Sequence, residues 1–376
     1  MAFSAQDHAF MARALQLAEH GRFSTRPNPR VGCVLVRDGK VIAEGFHYRA
    51  GEDHAEAAAL KVAGADARGC TAYVSLEPCA HHGRTPPCAD ALIAAGVARV
   101  VHAVDDPNPH VSGGGAARLR AAGIASEGGL LAAEARALNR GFLIRCEQGR
   151  PFVTLKMGMS LDGAVALANG QSQWITGPES RADVQRLRAG ACAVLTGIGT
   201  ILADDPRLNV RDPRFDTAER PPARVILDSA LRTPPHAKIF SVPGEVIIFT
   251  ASTDLALADA LRARGARIEA IATRAGRLDL TAVFSRLGML GMNEVLVEAG
   301  PEVAGSLIGA HLVDELVLYV APILLGSGAR AAFAWPSLAD LAEAPRFACL
   351  EVRRTGADQR MILQPAHLDA GGHVPR

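Results

Sequence analysis

One histidine, two cysteines and a neighbouring acid, in the order His54-Ala55-Glu56, Pro78-Cys79 and Cys88, constrain this chain more than any other feature. They make chemical sense only if the fold brings them to one point. Zinc takes imidazole nitrogen and thiolate sulfur in a tetrahedron, and a catalytic site keeps one corner for water. His54, Cys79 and Cys88 are therefore the candidate zinc ligands, one ion per domain. Glu56, two residues after the histidine, can sit beside the metal without binding it and carry a proton from water to a leaving amine. A purely structural zinc would call for a fourth ligand, and no convincing fourth cysteine lies nearby. Cys33, Cys70, Cys146, Cys192 and Cys349 read as structural.

The local sequence indicates how the ligands are carried. Gly51-Glu52-Asp53 reads as a turn into an alanine-rich helix with His54 and Glu56 in its first turn. Val74-Ser75-Leu76-Glu77 reads as a strand ending at Pro78, and Cys79 opens a segment that Cys88 closes ahead of a helix over 90–96. Helix N-termini lower thiol pKa values, which suits both cysteines to zinc. Zinc nucleobase deaminases usually separate these cysteines by two residues; here eight intervene. The inserted Ala80-His81-His82-Gly83-Arg84-Thr85-Pro86-Pro87 offers histidines, an arginine and a threonine beside a flexible glycine, a composition suited to a phosphorylated substrate. Adjacent histidines point in different directions, so His81 and His82 read as substrate contacts rather than ligands.

At 376 residues the chain exceeds the roughly 100–200 of one domain. The boundary is expected near Gln148-Gly149-Arg150-Pro151, giving domains over 1–148 and 149–366 and a disordered glycine-containing tail over 367–376. A net charge of +1 and 5% aromatic residues argue against a nucleic-acid surface, which needs a basic patch and stacking platforms. A nucleotide-sized small molecule is the expected partner. Seven cysteines, an N-terminus without a basic segment leading into an apolar run, and no apolar stretch of membrane-spanning length predict a reduced, cytoplasmic protein with no membrane partner.

In the first half, residues 6–18 carry the apolar spacing of a helix, 31–36 and 40–46 a hairpin around Arg37-Asp38-Gly39, and 97–104 a further strand. Beyond the boundary, strands near 152–157, 193–196, 224–228, 245–250, 294–298 and 316–321 alternate with helices such as 182–189 and 254–264. That pattern predicts an α/β domain with a mainly parallel sheet, whose ligands bind at the carboxyl ends of the strands. Thr196 to Thr200, Asp228-Ser229 and Glu298-Ala299-Gly300-Pro301 fall at such ends. The last runs from strand to helix and offers N–H groups and a positive dipole end to a pyrophosphate. No G-x-G-x-x-G follows a first strand and no Walker lysine is present, so a standard Rossmann assignment is not supported.

Several passages together resemble one family. Pro27-Asn28-Pro29-Arg30-Val31-Gly32-Cys33-Val34, His54-Ala55-Glu56 and Leu76-Glu77-Pro78-Cys79 through Cys88 are similar to the bifunctional pyrimidine deaminase/reductases of riboflavin biosynthesis, and the long cysteine gap is specific to them. The small alanines after Glu56 depart from the bulkier pair frequent there, a matter of packing. Met159-Ser160-Leu161-Asp162-Gly163, Ser172-Gln173-Trp174-Ile175-Thr176, Leu202 to Leu208 and Val297 to Pro301 resemble the reductase domain of the same family, and the likeness runs to about Pro365.

The resemblance implies a cytidine-deaminase-like N-terminal domain and a dihydrofolate-reductase-like C-terminal domain. It implies hydrolysis of the 2-amino group of a ribosylaminopyrimidinone phosphate, then NADPH-dependent reduction of the ribosyl to a ribityl chain. Asn28 would help hold the pyrimidine. Gly158, Trp174, Thr200, Asp204, Ser229 and the turn Gly300, Pro301, Glu302, Val303, Ala304, Gly305 and Ser306 would contact NADPH. Ser172, Arg188, Leu208, Arg211 and Glu298 would contact the substrate, and two guanidinium forks, Arg188 and Arg211, suit a phosphate. Lys156 or Asp162 is the candidate proton donor for the reduction, and the family suggests a homo-oligomer. Two rival readings remain at this stage: a nucleic-acid-editing deaminase fused to an unrelated domain, and a non-enzymatic protein that keeps zinc and nucleotide as structural ligands. Near-neutral charge and the long gap disfavour the first, and Glu56, which zinc binding does not require, disfavours the second.

Overall fold

Ser4 opens the first helix, α1 (Ala5–Glu19), through a reciprocal capping box with Asp7, in which Ser4 Oγ accepts from the Asp7 amide and the Asp7 carboxylate accepts from the Ser4 amide. The computed structural model describes residues 3–81, 86–108, 113–215, 217 and 219–366. The chain divides into two compact units, Met1–Gly149 and Arg150–Arg376. The tail expected to be disordered, 367–376, lies outside the described residues.

In the first unit α1 is followed by β1 (Gly32–Arg37), β2 (Lys40–Phe46), α2 (Ala55–Ala63), β3 (Thr71–Val74), α3 (Cys88–Ala95), β4 (Arg99–His102), α4 (Gly114–Ala121), β5 (Ala125–Gly128), α5 (Ala132–Leu138) and α6 (Arg140–Gln148). Asp38 and Gly39 both take positive φ at the tip of the β1–β2 hairpin, as a two-residue turn between right-twisted strands requires. The sheet order is β2-β1-β3-β4-β5, with β1 antiparallel to both neighbours and β3, β4 and β5 parallel. Alternate residues serve opposite faces. Cys33, Leu35, Ala72 and Val74 pack with Ala59 of α2 and Leu92 of α3, whereas Val34 and Tyr73 pack with Met11 of α1 and Phe142 of α6. Gly45 lets α2 lie close on β2, since a Cβ there would stand 2.4 Å from the Ala55 carbonyl oxygen. This close approach positions the helix that carries Glu56.

The second unit contains β6 (Phe152–Ser160), β7 (Ala164–Ala166), α7 (Pro178–Gly190), β8 (Ala193–Gly197), α8 (Ile198–Asp204), β9 (Ala223–Leu227), β10 (Val246–Thr250), α9 (Leu255–Arg262), β11 (Ala266–Ala270), β12 (Thr273–Arg274), β13 (Arg277–Leu278), α10 (Leu280–Met289), β14 (Glu294–Val297), α11 (Pro301–Gly309), β15 (Glu315–Ala321), β16 (Arg330–Ala331), β17 (Phe347–Thr355) and β18 (Asp358–Pro365). Nine strands form one sheet, β11-β10-β9-β8-β14-β6-β15-β18-β17. The run from β11 to β15 is parallel, and β18 and β17 close one edge as an antiparallel hairpin. Strands such as β8, β9 and β10 are buried along their whole length, as expected where helices cover both faces of a parallel sheet. The terminal hairpin is a feature the sequence reading did not include. Most residues of β17 are exposed on both faces, so no apolar alternation marks it as a strand. No helix among the described residues is long and apolar enough to cross a membrane.

Candidate zinc centre and candidate reductase site

His54 caps the N-terminus of α2 with extended backbone, φ −72° and ψ 162°, one residue before the helical turn in which the sequence placed it. Cys79 follows the exit of β3. Cys88 is the first residue of α3 rather than the end of a preceding loop, so that helix starts two residues earlier than expected. His54 Nδ1 lies 3.2 Å from Cys88 Sγ and 3.7 Å from Cys79 Sγ, and the Cys88 amide donates to Cys79 Sγ at 3.3 Å. All three donor atoms fall within 4.8 Å of one another. Zinc–nitrogen and zinc–sulfur bonds of about 2.1 and 2.3 Å at a tetrahedral angle separate N and S by about 3.6 Å. The donor set therefore fits zinc, with a fourth corner left for water.

The carboxyl of Glu56 is buried beside both thiols. Burial pushes it up to about 7, and the charge on Cys79 adds to the rise. The contact with the Cys88 thiol draws Cys79 down to about 4, and the same contact, with burial, pushes Cys88 up. A hydrogen bond to Cys79 raises His54. Alongside, Asn28 Nδ2 is 3.0 Å from His47 Nε2, His47 Nδ1 is 2.8 Å from the Asp53 carbonyl oxygen, and the His47 ring meets the His54 ring edge-on at 5.3 Å. Asn28 is thus tied, through His47, to the residue before the first ligand. His81 is exposed and stands outside the ligand trio. His82, Arg84 and Thr85 lie outside the described residues.

Glu77 is a residue the sequence reading passed over. Its buried carboxylate accepts from the amides of Asp106 (3.3 Å), Gly113 (3.0 Å) and Ala116 (3.0 Å). Gly113 is the N-cap of α4 and has no side chain to cap it, so Glu77 supplies the cap from the segment that leads into Cys79. Gly115 makes the contact tighter still, because a Cβ there would stand 1.8 Å from the Pro78 carbonyl oxygen. Nothing near Glu77 in sequence signals these partners.

In the second unit the candidate residues collect at the carboxyl ends of β6, β8, β9 and β14. Glu298, just beyond β14, accepts from Arg188 Nε at 2.6 Å and Arg188 Nη2 at 3.1 Å, and pairs with Lys156 Nζ of β6 at 3.5 Å. Burial alone would raise Glu298; Arg188 and then Lys156 override it and hold the carboxyl near 2. Arg188 Nη1 also donates to the Asn209 carbonyl, and the Arg211 amide donates to Gln185 Oε1, which fixes the 207–211 loop to α7. Burial lowers Arg211, and the neighbouring guanidiniums of Arg188 and Arg207 lower it further. Arg207 is a further cation that the sequence reading left unassigned. Leu208 has φ +51° and a buried side chain packed with Val194, Ile198 and Ile201.

Asp162 accepts from the Ser160 hydroxyl and the amides of Leu325 and Gly326, and the Ser160 hydrogen bond leads in holding it near 2. A carboxylate so held is an acceptor at neutral pH, not a source of protons. Trp174 is 68% exposed, with the Arg181 guanidinium stacked 4.5 Å from its ring centroid. Ser172 is half-buried nearby in sequence. Gly158 faces Thr176, whose Cγ2 would stand 3.3 Å from a Cβ added there. Thr200 and the exposed Asp204 sit on α8 after β8, and Ser229 follows β9, where its carbonyl accepts from Thr250 Oγ1. Gly300 caps α11 without any side-chain hydrogen bond, and Pro301, the first helical residue, has no amide to satisfy, so no side chain of the cap competes for the amides that follow. An uncapped helix start between hydroxyl-bearing strand ends fits a dinucleotide pyrophosphate.

Two family models match the chain: the cytidine and deoxycytidylate deaminase zinc-binding region over residues 4–104 and the RibD C-terminal domain over 151–360. The chain is 50% identical over 362 residues to the riboflavin biosynthesis protein RibD of Escherichia coli, covering 94% of this chain and 98% of that protein. Its fold is similar to that of Acinetobacter baumannii RibD, with a TM-score of 0.90, 44% identity and coverage of 96% and 99% of the two chains. A deaminase/reductase from Thermotoga maritima matches with a TM-score of 0.83, 33% identity and coverage of 96% and 99%. With a His/Cys/Cys trio able to hold a metal in one unit and a mainly parallel sheet in the other, the chain belongs to the RibD family, the zinc- and NADPH-using bifunctional deaminase/reductases of riboflavin biosynthesis.

Proposed function

We propose that residues 1–148 hydrolyse the 2-amino group of 2,5-diamino-6-(ribosylamino)-pyrimidin-4(3H)-one 5'-phosphate, and that residues 149–366 then reduce its ribosyl group to ribityl. The convergence of His54, Cys79 and Cys88 around the buried carboxyl of Glu56 carries this reading. Zinc held by these three side chains would supply a nucleophile at neutral pH by acidifying water. Glu56 takes up a proton and returns it to the departing amine nitrogen, and a carboxyl pushed up to about 7 does both near neutral pH. Asn28, oriented through His47, holds the pyrimidine. His81, with Arg84 and Thr85, receives the phosphate.

In the second unit NADPH would supply the hydride to C1 of the sugar. Gly158, Trp174, Thr200, Asp204, Ser229 and the turn from Gly300 to Ser306 hold the cofactor. Arg211 and Arg188 attract the substrate phosphate, with Ser172 and the backbone at Leu208 completing the contacts. Glu298 sets the positions of Arg188 and Lys156. Lys156, rather than Asp162, provides the proton as the sugar ring opens, because Asp162 is held ionised by its own hydrogen bonds. We place the protein in the cytoplasm, where thiolates persist. We also propose that it self-associates along the outer edge of the sheet, where β17 exposes Leu350 and Val352 by 58% and 55%.

Incubating the protein with the diaminopyrimidinone substrate and NADPH tests the central reading. Ammonia release is expected without NADPH, and NADPH oxidation only after deamination. Ammonia alone refutes the reductase assignment, and silence in both with zinc present refutes the enzyme reading.

A further inference from the structure

The β12–β13 ribbon carries two arginines that the reaction, as read above, does not use. Arg274 and Arg277 are directly cross-strand in this antiparallel ribbon, on either side of a turn formed by Ala275 (φ +50°) and Gly276 (φ +76°). Directly opposite residues share one face of a ribbon, about 5 Å apart, and like charges there are unfavourable. A left-handed alanine adds strain to the same tip. An anion held between the two guanidiniums relieves the charge pair.

The ribbon stands between two of the candidate cofactor positions. At its base the Ile271 amide donates to the Thr250 carbonyl, Thr250 Oγ1 donates to the Ser229 carbonyl, and Leu278 is buried in the core. At its tip Arg277 Nη1 donates to Ser306 Oγ at 3.3 Å, and Arg277 Nη2 pairs with Glu302 Oε2 at 3.0 Å along one side of α11. Arg277 and Glu302 are 67% and 70% exposed, and a surface ion pair in water is weak, so the guanidinium can exchange one anion for another. A site that reads an unmodified ribose places a carboxylate beside the 2'-hydroxyl. Here Ser229, two residues after β9, is exposed, while the Asp228 carboxylate between them is buried and accepts from the amide and hydroxyl of Thr233.

We propose that Arg274 and Arg277 clamp the 2'-phosphate of NADPH and so set the preference for NADPH over NADH. The inference rests on the cofactor site proposed above. A phosphomonoester carries about −1.5 to −2 charge at neutral pH and offers oxygens to both planar forks.

Calorimetric titration of the full-length, zinc-loaded protein with NADP+ and with NAD+ tests the clamp without turnover. Hydrogen bonds to charged groups make the Arg274→Ala/Arg277→Ala variant about 10- to 100-fold weaker for NADP+, with NAD+ affinity changed less than about twofold. Glu302→Gln, which releases Arg277 without removing it, is expected to tighten NADP+ more than NAD+, a selective gain that misfolding cannot produce. Equal losses for both dinucleotides in the double variant, with no gain from Glu302→Gln, overturn the clamp and leave the cofactor site standing. Failure of the unaltered protein to bind NADP+ overturns both.

Discussion

Replacing Glu298 by glutamine should separate a buried charge network from ordinary packing. The substitution keeps the shape of the side chain and removes its charge, leaving Arg188 and Lys156 buried against a neutral amide. A carboxyl held near 2 instead of 4.5 is stabilised in the folded protein by about 2.5 pH units, or about 3 kcal/mol at 1.36 kcal/mol per unit. Losing one partner of a buried pair typically costs about 3–5 kcal/mol, in agreement. The sign follows from the lowered pKa: this stability is complete above the unfolded value of 4.5 and is lost as pH falls from there through about 2. Urea unfolding followed by tryptophan fluorescence reads this unit alone, because Trp174 and Trp335 both lie in it. Wild type and Glu298→Gln should differ by about 3 kcal/mol at pH 7 and by about 1 kcal/mol at pH 3. A difference under about 0.5 kcal/mol at pH 7, or one unchanged at pH 3, refutes the assignment of the lowered pKa to these cations.

Glu56→Gln should retain zinc, measured by metal analysis, and lose about 10²- to 10⁴-fold in deamination rate while reduction of pre-deaminated substrate continues; equal loss of both activities would count against separate sites. Glu77→Ala should destabilise the first unit by about 1–3 kcal/mol, the cost of leaving buried donors unsatisfied, read by hydrogen exchange at amides of residues 3–149. Gly305→Ala would bring a Cβ to 2.1 Å from the Ala334 carbonyl oxygen, so α11 must shift. A stability loss of about 1–3 kcal/mol and weaker NADP+ binding are expected, and an unaltered Kd would show that the helix start does not hold the cofactor.

Much of the site was readable because zinc chemistry depends on residue types in a fixed order. His54, Cys79 and Cys88 could be named before any fold was known, and the structure brings their donor atoms together. The parallel strands were equally legible, since β8, β9 and β10 are short apolar runs bounded by turns. The last hairpin was not. β17 contains Glu351, Arg353 and Arg354 among exposed positions, and it is a strand because β18 pairs with it, not because its own pattern demands it.

The sequence by itself determined the candidate ligand types, the candidate proton-carrying acid, the two-part organisation and the alternation that makes the second sheet mainly parallel, because these follow from residue chemistry and local periodicity. Only the tertiary structure decided the partners that tune the sites. Glu77 caps α4 from upstream, Asp358 accepts from Gly177 and Ser180 at the start of α7, Glu298 gathers Arg188 and Lys156, and Arg277 reaches α11. Each depends on side chains brought within hydrogen-bond reach by chain closure over tens to more than a hundred residues. Hydrogen bonds and ion pairs act over a few ångströms of space, and distance along the chain carries no record of them.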